Sequence, residues 1–242
     1  MTFDYLAITP GRQLENKRMT PQNTLPPGQR AIDHFPRFGL LKYARRFKTE
    51  FDPLALLVSG DVRNAITLTA KDLNSLPRIQ QASDFHCVTT WSRHGLLWGG
   101  VRFSDFYRLI VQPKVQPSDE AQWVIFRSQD GFRASLPLAD LLSDDVLLAD
   151  SLGGLALPAE HGAPLRLVAP AHYGYKNAKH LKAIEFWRDE SKFRPPAFRF
   201  MNHPRARVAF EERGRGVPGW LLRFLYRPLV KPTMRLFERT MR

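Results

Sequence analysis

Apolar residues along this chain come in short runs broken by turn-forming residues, with no long helical stripe. Residues 54–58 are wholly apolar and precede Ser59-Gly60-Asp61, which predicts a strand and then a turn. Residues 66–68 predict a second short strand. Thr69 with Asp72 predicts a capping box opening a short helix that Pro77 closes. Apolar and polar positions then alternate loosely up to Cys87, as in a strand entering a core. Beyond Cys87 the pattern dissolves into small, polar and Gly residues, which predicts a loop. Residues 104–110 predict a short helix capped by Ser104. Residues 123–127 and 132–136 flank Asp130-Gly131 and predict a hairpin, followed by a short helix over 137–142 with Pro137 near its first turn. Residues 146–149, 165–169 and 181–187 predict further strands, with 153–162 as loop. Strands and short helices alternate without βαβ spacing, so the fold class expected is α+β with mixed β-sheets and short helices.

The ends of the chain differ from this middle. Residues 1–31 are polar and Pro/Gly-punctuated and read as an extended N-terminal arm; residues 32–198 read as one domain. Residues 199–242 hold eleven Lys and Arg against three Glu, so most of the net charge of +13 belongs to a basic C-terminal tail. Such a tail suits a membrane surface or an acidic partner, or simply keeps the protein in solution. Nucleic acid is not an expected partner. The first residues show no basic region followed by an apolar run, and no run of 18 apolar residues occurs, so a cytoplasmic location is expected.

Candidate chemistry centres on Cys87, the only cysteine in 242 residues. One cysteine excludes an intrachain disulfide framework and a Cys-rich iron–sulfur or zinc site. It leaves a buried structural thiol, a nucleophile served by His86 or His94, or a soft ligand to a metal. The stretch Phe85-His86-Cys87-Val88-Thr89-Thr90-Trp91-Ser92, with Leu97-Trp98-Gly99-Gly100-Val101 after it, resembles the molybdenum-ligand segment of the sulfite-oxidase family. It is most similar to that family's single-domain bacterial members and to the catalytic subunit of the periplasmic methionine-sulfoxide reductase. Residues 161–168 and 173–179 match further along, in family order. A looser match lies at residues 25–29 and 35–39.

The resemblance implies the sulfite-oxidase molybdopterin-binding fold and a molybdopterin cofactor. It also implies an oxidoreductase carrying out two-electron oxygen-atom transfer at molybdenum. Cys87 would be the metal ligand, because the pterin supplies the remaining sulfurs. Arg166, Asn177, Ala178 (through its backbone) and Lys179 fall on cofactor-binding positions. His161 stands where the reductase subunit has asparagine, and Ser128 where it has threonine. In the looser match, Asp33, Pro36 and Arg37 fall on cofactor-contacting positions. A small-molecule substrate is implied, an oxyanion or a sulfoxide. His86, Arg93, His94, Arg127 and His172 are candidates for a cationic substrate pocket, Trp91 and Trp98 are read as packing, and Arg133 is expected to stand clear of the cofactor. The segment after Trp187 is expected to be too short for a further domain, so electrons would pass to or from a separate partner. Two rival readings remain at this level: a cysteine-nucleophile enzyme using Cys87, and a non-catalytic binding module acting through the tail. Within the tail, Pro228 and Pro232 preclude one regular helix, and two short helical segments mixing apolar residues with arginines are expected. They are expected to contact a partner or membrane and to stand apart from the metal chemistry.

Overall fold

The computed structural model describes residues 25–37, 43, 52–196 and 198–240. The first 24 residues of the expected arm, Phe38 and Gly39 of the third match, and the last two tail residues lie outside the described residues. Two mixed sheets form the body. One contains β1 (Arg30–Ala31), β4 (Arg78–His86), β5 (Trp91–Arg102), β8 (Leu147–Leu152), β9 (Leu155–Ala156) and β10 (Arg166–Val168). The other runs β3 (Ile66–Thr69), β2 (Ala55–Gly60), β11 (Leu181–Trp187), β6 (Trp123–Ser128), β7 (Arg133–Pro137). Each sheet has one parallel pairing, β1 with β5 and β2 with β11; the rest is antiparallel.

The side-chain period of two explains how the first sheet is buried on both faces. Val101, Leu148 and Leu167 join the main core with Phe126 and Phe186 of the second sheet. Their strand neighbours Trp98, Leu147, Ala149 and Val168 face the other way and form a second cluster with Phe35 and Phe85. Phe103, Phe106, Phe126 and Phe186 are fully buried, each contributing about 1.5–3 kcal/mol by leaving water.

Short helices link the strands. The capping box is present: Thr69 N–H and its hydroxyl both reach the Asp72 carboxylate at 2.7 Å, opening α1 (Ala70–Asn74). The helix expected at 104–110 is longer and starts earlier. Its first turn is α2 (Phe103–Phe106), flanked by Arg102 rather than Ser104, and it continues as a wide π-type turn over Tyr107–Val115. Gln116 N–H closes it on Val111 O at 2.9 Å. Helix α3 (Leu138–Leu141) follows β7, with Pro137 at its N-cap.

The loop expected after Cys87 is confined to four residues, and β5 begins at Trp91. Glycines hid this strand. A Cβ on Gly100 would lie 2.2 Å from Leu148 O, so the close approach of β5 to β8 requires glycine there. Gly100→Ala is expected to cost about 1–3 kcal/mol, to be read as a fall in the urea midpoint; an unchanged midpoint would refute the account of this contact.

The expected tail lies against the body. Ala206 and Val208 are buried with Tyr173, beside Val88 and Tyr175. Helix α4 (Gly219–Tyr226) buries Leu222 and Tyr226, and a 3-10 turn (Arg227–Leu229) joins it to α5 (Val230–Thr240). Pro228 sits in that turn and Pro232 in the first turn of α5, where the missing N–H breaks no helical bond. Among the described residues no helix is long and apolar enough to cross a membrane.

Candidate active site

Cys87 sits in the tight turn between β4 and β5. Its N–H bonds Trp91 O at 2.8 Å and its carbonyl accepts Thr90 N–H at 3.1 Å. The turn places Thr90 at φ +84°, unusual for a β-branched residue. Gln29 braces it from the N-terminal segment: Nε2 donates to Cys87 O and Oε1 accepts from Ser92 Oγ, each at 3.1 Å. Arg213, fully buried, braces it from the other end of the chain, donating to Val88 O at 2.5 Å and to Pro27 O at 3.1 Å. Burial pushes the Cys87 thiol up, while hydrogen bonding to Thr89 (Sγ to Oγ1 3.1 Å) and the charges of Arg213 and Lys179 pull it down.

The thiol is on the wall of a cavity of about 1270 Å³. Pro36, Arg37, Asn177 and Lys179 line the same cavity, so five of the ten residues expected from the sequence converge on it. Burial, then the neighbouring Arg166 and Arg37, pushes the Lys179 ammonium down to about 7; its Nζ donates to Glu160 O at 2.8 Å. Asn177 holds the segment beneath, its Oδ1 accepting Ala169 N–H at 2.7 Å.

Arg166 and His161 stand behind this wall. Arg166 is fully buried over Trp98, 4.7 Å from the ring, and donates to His161 O at 2.8 Å. Its Nη2 finds no partner among the described residues. Burial alone pushes the guanidinium down to about 9. His161 stacks on Phe35 at 4.4 Å, its Nδ1 is likewise unpartnered, and burial pushes it down to about 3. Gly162 lies between the two cations: a Cβ there would come within 3.1 Å of the Cβ atoms of both Arg166 and Lys179.

The other three expected residues lie elsewhere. Ala178 is in the main core, and its N–H and carbonyl are taken by Lys176 O and Leu167 N–H. Ser128 is fully buried at the end of β6 with an unpartnered Oγ. Asp33 is exposed and does not line the cavity.

The expected cationic pocket is drawn from different residues. Arg127 is paired bidentately with Glu185, His94 with Asp84 at 2.7 Å, and His86 Nδ1 with Ser92 Oγ at 2.8 Å. Arg93 reaches His94 O, and His172 bonds Arg205 O. None of the five lines the cavity. Arg133 does, contrary to expectation, with its Nε buried and unpartnered. Arg235 and Arg239 of α5 line it as well, beside Tyr226 and Leu236. The tail therefore shapes the site from which the sequence reading set it apart. Nothing in the local sequence marks these residues, because the wall they form is assembled from segments far apart in the chain.

A phosphate-bearing pterin fits this donor set. A desolvated guanidinium with an unpartnered N–H, an ammonium depressed by burial and then by neighbouring cations, and an open imidazole nitrogen are what a buried anion relieves. The same groups make the cofactor-free protein pH-sensitive. Below pH 7 Lys179 is charged in both folded and unfolded states; between about 7 and 10.5 only the unfolded chain keeps the proton. Stability of the cofactor-free protein is thus expected to rise with pH across that window. Lys176, also pushed down to about 7 by burial, adds to the slope. Lys179→Met should flatten the slope and raise stability at neutral pH in urea titrations; an unaltered slope would refute the burial of this charge.

Comparison with known proteins agrees with the donor set. Residues 46–194 match the oxidoreductase molybdopterin binding domain. The chain is 35% identical over 167 residues to the uncharacterized oxidoreductase YuiH of Bacillus subtilis, covering 68% of this chain and 80% of that one. It is 32% identical over 152 residues to the protein-methionine-sulfoxide reductase catalytic subunit MsrP of Campylobacter jejuni, covering 56% of this chain and 49% of that one. This chain thus spans about half the length of MsrP. The sulfane dehydrogenase SoxCD of Paracoccus pantotrophus shares the fold, with TM-score 0.51 and 24% identity over 63% of this chain and 43% of that one. Cys87 on the wall of a cation-lined cavity thus belongs to a molybdenum-cofactor-dependent enzyme, and the chain is a member of the oxidoreductase molybdopterin-binding domain family.

Proposed function

We propose that this enzyme is sulfite-oxidase-like, with residues 32–198 as its catalytic domain and Cys87 as the protein ligand to molybdenum. The observation that carries the reading is a buried, solitary thiol on a cavity wall shared with Lys179 and backed by Arg166, whose Nη2 has no partner among the described residues. When bound, the cofactor supplies two-electron oxygen-atom transfer to or from a small substrate, an oxyanion or a sulfoxide, with electrons exchanged through a separate partner. The chain's own residues bind, orient and desolvate. Cys87 presents its sulfur from a turn fixed on both sides, and as a metal ligand it would give up the proton that burial otherwise retains. Arg166, Lys179 and His161 hold the anionic end of the pterin, with Arg37 beside them and Gly162 leaving room. Phe85 and Trp91 line the cavity next to the thiol and keep water from it. Arg133, Arg235 and Arg239 give the outer cavity a positive field suited to an anionic or strongly dipolar substrate.

The nucleophile reading finds no support in this geometry. The thiol is pushed up, the histidine next to it is pushed down to about 4 by burial, and that histidine is bonded to Ser92. A thiolate nucleophile needs the opposite arrangement. Protein produced in cells that assemble the pterin is expected to carry about one molybdenum per chain, with the pterin as its mononucleotide. Metal analysis and pterin extraction test this, and absence of both overturns it.

A further inference from the structure

The last two helices carry an apolar face that stays exposed among the described residues. Trp220, Leu221, Phe224 and Leu225 of α4 and Leu229 in the turn are 42–59% exposed. Their spacing puts them on one side of the helix, opposite the buried Leu222 and Tyr226. Phe198 and Phe200, stacked at 5.9 Å, are exposed as well. Exposed basic residues continue along the same segment: Arg227, Lys231, Arg235 and Arg239. From residue 213 to residue 237 the sequence holds no Asp or Glu.

A core-packing helix would hide such a face, and a solubilising tail would not expose tryptophan, phenylalanine and leucine together. We propose that α4, the turn and the start of α5 dock the enzyme on an anionic lipid bilayer. The aromatic and leucine side chains would enter the interface and the arginines and lysine would meet the headgroups. Charge complementarity selects this occupant over a neutral apolar one: a segment wholly basic between residues 213 and 237 is matched by a surface of fixed negative charge. The docked orientation has a consequence for the site. Leu229, exposed on the patch, lines the cavity, as does the exposed Phe198. The cavity mouth therefore adjoins the docked face, and a substrate or electron carrier reaches it along the membrane surface. This part rests on the proposed function; the docking does not.

The test is flotation of the full-length protein with vesicles of phosphatidylglycerol and phosphatidylcholine, against phosphatidylcholine alone. Binding is expected to the anionic vesicles only, weakening as salt is raised from 50 to 500 mM. Neither Phe224 nor Leu225 lines the cavity, and both side chains are outside, so the Phe224→Ser/Leu225→Ser double variant should fold. Its affinity should fall by roughly 10- to 100-fold, while molybdenum content and turnover with an artificial electron carrier stay at wild-type values. Arg227→Glu/Lys231→Glu should weaken binding comparably at 50 mM salt and have no effect at 500 mM. The proposal is overturned if wild type ignores anionic vesicles, or if the serine variant binds as wild type does. It is equally overturned if sedimentation shows that the patch holds a dimer which the serine variant dissolves. Loss of molybdenum from wild type with vesicle binding intact would strike the proposed function and leave the docking standing.

Discussion

Changing Cys87 to serine should abolish turnover while the protein remains folded. The loss should exceed about 100-fold, beyond the 10- to 100-fold usual when a residue merely supporting a metal ligand is removed. Serine is nearly isosteric, and the turn is held by backbone bonds to Trp91 and Thr90 and by Gln29, none of which uses the sulfur. The thermal midpoint should therefore change by no more than the equivalent of about 1 kcal/mol. Turnover assays, metal analysis and a circular-dichroism melt on the same preparation decide the matter. Wild-type turnover in the serine variant would remove Cys87 from the reaction; collapse of the fold would return it to a structural role.

The second large effect is expected at Arg166. Its guanidinium is buried, and among the described residues it has no carboxylate partner and its Nη2 has no hydrogen-bond partner. Burial of an unpaired charge is destabilising, and replacing it with an apolar side chain of similar length is often neutral or better. Arg166→Met, purified without cofactor, should be at least as stable as the cofactor-free wild type. Made where the pterin is available, it should lose about tenfold or more of its cofactor occupancy, since a charge-assisted hydrogen bond is worth about 1.5–3 kcal/mol. A purely structural arginine would give the opposite pattern, with an unstable cofactor-free variant. Full occupancy would move the phosphate site elsewhere.

The fold was largely legible where side chains alone decide it. Residues 181–187 form a strand because Leu181, Ala183, Ile184 and Phe186 are buried on it, and the Thr69–Asp72 pair caps a helix through contacts three residues apart. The reading failed where tertiary contact decides. Gly95, Gly99 and Gly100 look like a loop in isolation, but Gly99 and Gly100 lie in a strand whose neighbour leaves no space for side chains. Tyr107 to Val115 stays helical across Pro113 by widening its turns. On the cavity wall, Cys87, Asn177 and Lys179 are positions to which the family pattern points. The same pattern chose Asp33, which is exposed, and Ala178, whose backbone is already bonded. A hairpin position gives no hint of which surface Arg133 faces. That is fixed by strand packing and by a C-terminal helix a hundred residues later.

The bracing of the cysteine turn bears on the order of assembly. Gln29 reaches Cys87 across 58 positions, and Arg213 reaches Val88 across 125 and Pro27 across 186. Contacts of such separation close large loops and form slowly compared with hairpins and helices. The β4–β5 hairpin can pair early, yet its turn acquires both braces only after the segments around Gln29 and Arg213 have met. The braced turn is then a late product of folding. On the proposed role of Cys87, chains still missing residue 213 would carry the cysteine on an unbraced turn and would receive the cofactor poorly.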